Sequence, residues 1–149
     1  MRVVDTVVLD ALRDTGITIH EGLVEVETTP EGQPNVLLYD VPYCVYASNV
    51  GDVDNPRLTG RPRRRSVYFR LFYVGDDQWQ TKATGEALQA AIAGKRFDIP
   101  GVKSWPVQLL TSQQVRRDDD MIRPDGSPVF YGVDDYDLAL NSTDILIPA

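Results

Sequence analysis

Cysteine and histidine are almost missing: Cys44 and His20 are the only ones in 149 residues. A lone cysteine cannot close an internal disulfide, and a reducing compartment is its simplest setting. Without a second histidine or a cysteine partner nearby, His20 is a poor metal-ligand or nucleophile candidate. His20 stands beside Glu21 in an alternating stretch, where a partly exposed strand residue is the favoured reading. Cys44 lies in an apolar, strand-like run and reads as a small core hydrophobe.

Long apolar runs are missing too. No stretch approaches the roughly eighteen apolar residues of a membrane span. The opening MRVVDTVVLDALRDTG is apolar only in a helical rhythm and carries Asp5, Asp10 and Asp14, unlike a secretory core. The expectation is a soluble protein kept in cytoplasm-like conditions, with no membrane contact. No P-loop, GxGxxG, GxSxG or HExxH occurs, and there is no internal repeat or low-complexity tract. Acidic clusters stand at Asp52/Asp54, Asp118–Asp120 and Asp134/Asp135/Asp137. DVDNPRLTG lacks the sixth-position glycine and closing glutamate of a calcium loop. DDD ahead of a turn reads as a solvated hairpin end. No metal, no cofactor and no enzymatic activity are expected.

What is present is acid, with one basic island. The net charge is −7, from 22 acids and 15 bases. Residues 1–60 hold ten acids and three bases, residues 61–75 five bases and no acid, and residues 76–149 twelve acids and seven bases. The island RPRRRSVYFRLFYVG places Arg61, Arg63, Arg64 and Arg65 ahead of interleaved aromatics. Such a run could stack and clamp single-stranded nucleic acid. The acidic balance, the core-like alternation of the aromatics and the absence of a second basic patch oppose that. Complementary contact with an acidic surface of another copy is the sharper alternative.

Periodicity supplies the elements. Val4, Val7, Val8, Ala11 and Leu12 recur at helical spacing and predict a helix over 2–15, stopped at Gly16. Residues 17–27 alternate as a strand or two, and 28–35 are turn chemistry. A strand is expected on Tyr43–Ala47 after Pro42, with a shorter one before the proline. Residues 49–64 read as a long loop. Residues 65–74 form the clearest strand, apolar on both faces and so partly covered on both. A second helix is predicted over 78–93, with Trp79, Ala83, Ala87, Leu88, Ala91 and Ile92 as its apolar stripe. Gly85 inside it suggests a close backbone approach, and Gly94 a C-cap. A connection at 97–105, a strand over 105–117, a turn-rich 118–128 and a returning strand over 128–141 follow. The last changes its apolar phase near Asp134–Asp135, which predicts a bulge there. The sum is an α+β fold: a mixed, mainly antiparallel sheet of about four to five strands, two flanking helices, a long loop and a C-terminal hairpin. Residues 1–141 are expected to form one domain, with 142–149 as a tail.

Taken in order, VVDTVVLDAL, VPYCVYASNVG with PRLTGRP, SVYFRLFYVG leading to TKATGEALQAAIAG, and VRRDDDMIRPDGSPVFYGVDDYDLAL resemble the tail-terminator proteins of long-tailed, non-contractile bacteriophages, in the version common among phages of actinobacteria. The resemblance implies a non-enzymatic virion protein at the head–tail junction, assembled in the host cytoplasm. It implies a hexameric ring that caps the tail tube, ends its polymerisation and presents the docking surface for the head. The implied partners are further copies of itself, the major tail-tube protein and a head-completion or connector protein, with DNA passing through the lumen without specific binding. Acidic walls suit such a lumen, because they release phosphate rather than hold it. The interface candidates are Arg57, Arg61, Arg63, Arg64 and Arg65 on one side and Asp118, Asp119, Asp120 and Arg123 on the other. A head-completion or head–tail connector protein is the alternative, and a small nucleic-acid-binding module over Arg61–Arg70 a third reading.

Overall fold

The computed structural model describes residues 2–22, 26–27, 32–49, 52–53, 63–99 and 102–142. Two strands far longer than the others make its spine. β6 (Arg63–Gly75) and β10 (Pro128–Ser142) pair antiparallel in unbroken register from Gly75 opposite Phe130 to Arg63 opposite Ser142. Both are rich in the aromatic and β-branched residues that fill a pleated surface. On the far edge of β6 lies β4 (Tyr43–Ser48), which starts directly after Pro42, and beyond it β1 (Thr18–Glu21), parallel to β4. β5 (Asp52–Val53) continues along that edge of β6.

The other edge of β10 carries three strands in succession: β7 (Val102–Ser104), β8 (Gln108–Ser112) and β9 (Arg116–Ile122). β3 (Asn35–Leu37) and β2 (Val26–Glu27) extend the sheet past β9. Among the described residues the result is one mixed sheet of ten strands, parallel only at the β1–β4 and β3–β9 pairs. The α+β class is as read from the sequence; the strand count is higher. The added strands are pieces such as Val102–Ser104 and Asp52–Val53, too short to display a period.

Both helices lie on one face of this sheet. α1 (Arg2–Arg13) buries Val4, Val8, Leu9 and Leu12. Its valines are mediocre helix formers, costing up to ~0.7 kcal/mol each against alanine. Burial of those side chains contributes roughly 1.5–3 kcal/mol each, so packing decides the helix. Asp5 ties α1 to the sheet by accepting from the Tyr46 hydroxyl at 2.6 Å and the Ser48 hydroxyl at 2.8 Å. α2 (Gln78–Ile92) starts at an Asp77 cap, whose Oδ1 accepts from the Gln80 backbone N–H at 2.7 Å.

The buried stripe of α2 is Thr81, Thr84, Gly85, Leu88 and Ile92. This corrects the predicted stripe: Trp79 is 75% exposed, and Ala83 and Ala87 face solvent. Hydrophobicity alone chose tryptophan and alanine. The helix approaches the sheet so closely that threonine and glycine fit the contact instead. At Gly85 a Cβ would stand 2.7 Å from the Tyr73 ring, the close approach that the sequence suggested.

No bulge interrupts β10 against β6. Near the expected place the register shifts against β8, between Asp135 and Tyr136, where Leu110 is the additional residue, and it shifts again against β9 between Pro128 and Val129. The apolar phase changes for another reason. Gly132, Asp134, Tyr136 and Leu138 share the helix face with their partners Tyr73, Leu71, Phe69 and Val67, and Leu140 follows on that face. Val129 and Tyr131 lie on the opposite face, in a second small core with Leu37, Tyr43 and Val74. Each end of β10 is therefore apolar on a different face, and the buried Asp134 hides the continuity between them.

Two further expectations are corrected. Arg63–Arg65 do not end a loop: they are strand residues paired with Leu140–Ser142, and Arg65 also with Val53. Asp118–Asp120 do not form a hairpin end. They lie within β9, held by β10 on one side and followed by Met121 and Ile122 pairing with β3. Only 123–127 turn, where Ser127 donates its backbone N–H and hydroxyl to Asp125. Within the predicted 49–64 loop, 54–62 lie outside the described residues, as does 143–149 of the predicted tail.

Candidate assembly surface

The β6–β10 spine carries the sequence candidates at its two ends. Arg63, Arg64 and Arg65 stand opposite Ser142, Asn141 and Leu140. Asp118 stands opposite Val129 at the other end of β10. At roughly 3.3 Å per residue, the strand between Asn141 and Val129 spans on the order of 40 Å. The structure therefore separates the basic and acidic candidates and brings no pair of them together across the sheet. Arg57 and Arg61 lie outside the described residues.

The acidic end is a set of exposed or half-buried side chains. Asp119 and Asp120 are exposed, and Arg117 approaches Asp119 at 3.8 Å. Asp118 Oδ1 accepts from the Asp120 backbone N–H at 3.0 Å. Arg123 reaches Asp76 at 3.9 Å, which links the hairpin to the entry of α2. Among the described residues, no group of three or more His, Cys, Asp or Glu side chains is placed to hold a metal ion.

Between the two ends, the sheet face away from the helices is open. A groove of about 500 Å³ runs over Ala47, Ser48, Tyr68, Arg70, Leu110 and Asp135. At its centre Arg70 donates to both Asp135 oxygens, at 2.8 and 3.3 Å, and Thr111 donates to the same carboxylate at 3.1 Å. The Arg70 hydrogen bond holds the Asp135 carboxyl below the usual range. Phe72 and Tyr131 stack across the strands farther along, with centroids 5.1 Å apart, where the second core covers this face.

Two features have no place among the sequence candidates. The first is buried. Asp134 accepts from Ser112 at 2.6 Å, Gln89 at 3.0 Å and Tyr73 at 3.1 Å, which joins β8, α2 and β6 at one carboxyl. Tyr73 fits there because Gly85 and Gly132 leave room on either side of its ring. The signal for Asp134 was its position in the helix-face alternation, between Gly132 and Tyr136. The second is exposed. All five residues of β8 face solvent, and beside Leu109 and Leu110 stands the half-exposed Trp105. Its signal was the uncharged run from Trp105 to Val115.

His20 is half-buried in β1, its ring stacked on Tyr39 at 4.3 Å. Cys44 is fully buried, and burial pushes its thiol up to about 12. No helix among the described residues is long and apolar enough to cross a membrane.

The described residues define a two-layer α+β protein with charged sheet ends, a groove on the sheet face away from the helices and an exposed, uncharged strand β8. No family model matches the chain, and no curated protein matches it. Among solved structures it is similar to a chain of the "Virion of native gene transfer agent (GTA) particle". The match has a TM-score of 0.59 at 13% identity and covers 92% of this chain and 93% of that one. At that identity the likeness is one of fold.

Proposed function

We propose that this chain is a non-enzymatic structural protein of a phage-type virion, and within that class a tail terminator. Its role is a ring that caps the tail tube, ends tube polymerisation and offers the docking surface for the head connector. The observation that carries this reading is the fold likeness to a chain of a gene transfer agent virion along nearly the full length of both. The ordered motifs that resemble tail terminators narrow the class. The separation of Arg63–Arg65 from Asp118–Asp120 supports a head-to-tail ring, in which one patch of each copy meets a different patch of the next. The net charge of −7 supports a lumen past which DNA slides. Residues 1–141 would be the ring-forming domain, with a hexamer the expected ring.

Cryo-electron microscopy of assembled particles tests this. The expected result is density for the chain as a ring between the last tube layer and the head connector. A ring one layer higher, against the portal, makes it a head-completion protein. Density only at the tail tip, or absence from particles, overturns the reading.

A further inference from the structure

We propose that the β8 edge of one copy pairs with the β1 edge of a second copy, antiparallel, so that the sheet continues from subunit to subunit. The inference rests on the assembly reading above and adds which surfaces meet. Among the described residues, β8 pairs only with β10 and β1 only with β4. Each leaves a row of backbone donors and acceptors open, and such rows template further strands. Natural edges are normally guarded by lysine or proline or are covered. β8 has neither residue, and no charge occurs from Trp105 to Val115. Leu109 and Leu110 are 39% and 49% exposed, and Trp105 44%.

Strand direction and charge choose the partner. β1 runs parallel to β4, β4 and β10 both run opposite to β6, and β8 runs opposite to β10. β8 and β1 therefore point in opposite directions on the two sides of one sheet. Placing copies side by side brings them together antiparallel without inverting either copy. Around β8, residues 103–117 carry three bases and no acid; around β1, residues 10–22 carry three acids and one base. A symmetric β8–β8 contact would set Lys103 against Arg116 and Arg117 of the other copy. A symmetric β1–β1 contact would bring together two copies of a stretch that carries three acids and one base. Like charges oppose both contacts, and the heterologous β8–β1 contact matches opposite signs.

Cysteine pairs read this directly, because Cys44 is buried. Thr18 and Gln113 lie at the ends that antiparallel pairing brings together. The Thr18→Cys/Gln113→Cys chain, treated with a short bismaleimide, is expected to give a ladder of covalent oligomers. Either single variant, or Glu21→Cys/Gln113→Cys, is expected to give none. A covalent dimer from Leu110→Cys alone would show a symmetric β8 contact and overturn the proposal, as would oligomers that give no ladder. Sedimentation velocity of the wild-type chain, alone and released from particles, separates the two readings. A chain that is a single copy in solution and absent from purified particles fails the assembly reading itself. Leu110→Lys is the second probe: self-association should weaken at least tenfold while the melting temperature of the single copy holds. Unchanged association would overturn the proposal.

Discussion

Tyr73 is the residue on which the two layers are most closely fitted. It is buried between Gly85 of α2 and Gly132 of β10, with its hydroxyl on Asp134. An added methyl at either glycine has nowhere to go without moving a buried ring, and overpacking of this kind costs about 1–3 kcal/mol. Gly132→Ala and Gly85→Ala should each lower stability by that amount in denaturant titrations. Asp134→Ala should cost more, about 3 kcal/mol, because it strands the buried Tyr73 hydroxyl and leaves the Ser112 and Gln89 donors without their acceptor. The Cys44 thiol, buried and raised to about 12, should resist thiol reagents at neutral pH in the native chain and react only on unfolding. Rapid labelling without unfolding would contradict the packing described.

At the scale of elements, burial decides which residues anchor α2 to the sheet. Trp79 looked like the anchor of α2 and is its most exposed large apolar residue, with Lys82 above its ring at 5.6 Å. Trp79→Ala should change stability by no more than about 0.5 kcal/mol, measured by chemical denaturation. Arg70 and Asp135 bridge β6 and β10 on the open face. The Asp135 carboxyl is lower in the folded than in the unfolded chain. Its contribution is therefore present above the usual carboxyl value, near 3.9, and is lost as pH falls through the folded value. The Arg70 side chain is 58% exposed, so the effect stays below about 1 kcal/mol. Comparing Asp135→Asn with the wild type across acid titration should show the difference shrinking towards low pH.

For the whole molecule, the arginine island has changed its meaning. Arg63–Arg65 continue the spine strand to its very end, about 40 Å along β10 from the acidic strand. On the proposed reading, such an end would meet a different surface of a neighbour or of the tube. Replacing Arg63, Arg64 and Arg65 with serine should leave the circular dichroism spectrum intact and abolish or strongly reduce incorporation into particles. Normal assembly by the triple variant would make the arginines a solvated strand end. A salt-dependent filter-binding assay on the wild type should find no retention of single-stranded DNA, in keeping with the chain's net −7.

Period and composition were enough for both helices, the two spine strands and β4, because each is long enough to repeat its own pattern and chooses its state from neighbours in the chain. They were enough for Cys44 as a core residue and for the closeness at Gly85. The strands β5 and β7, the strand identity of Arg63, Arg64 and Asp118–Asp120, and the exposure of Trp79 came only with folding. A two- or three-residue strand is made by its partner across the sheet, and the covered side of a helix is set by what it packs against. Asp134 became legible only when Ser112, Gln89 and Tyr73, far apart along the chain, met at its carboxyl. The edge of β8 follows the same rule: its lack of charge is local, but that it pairs on one side only among the described residues is a fact of topology.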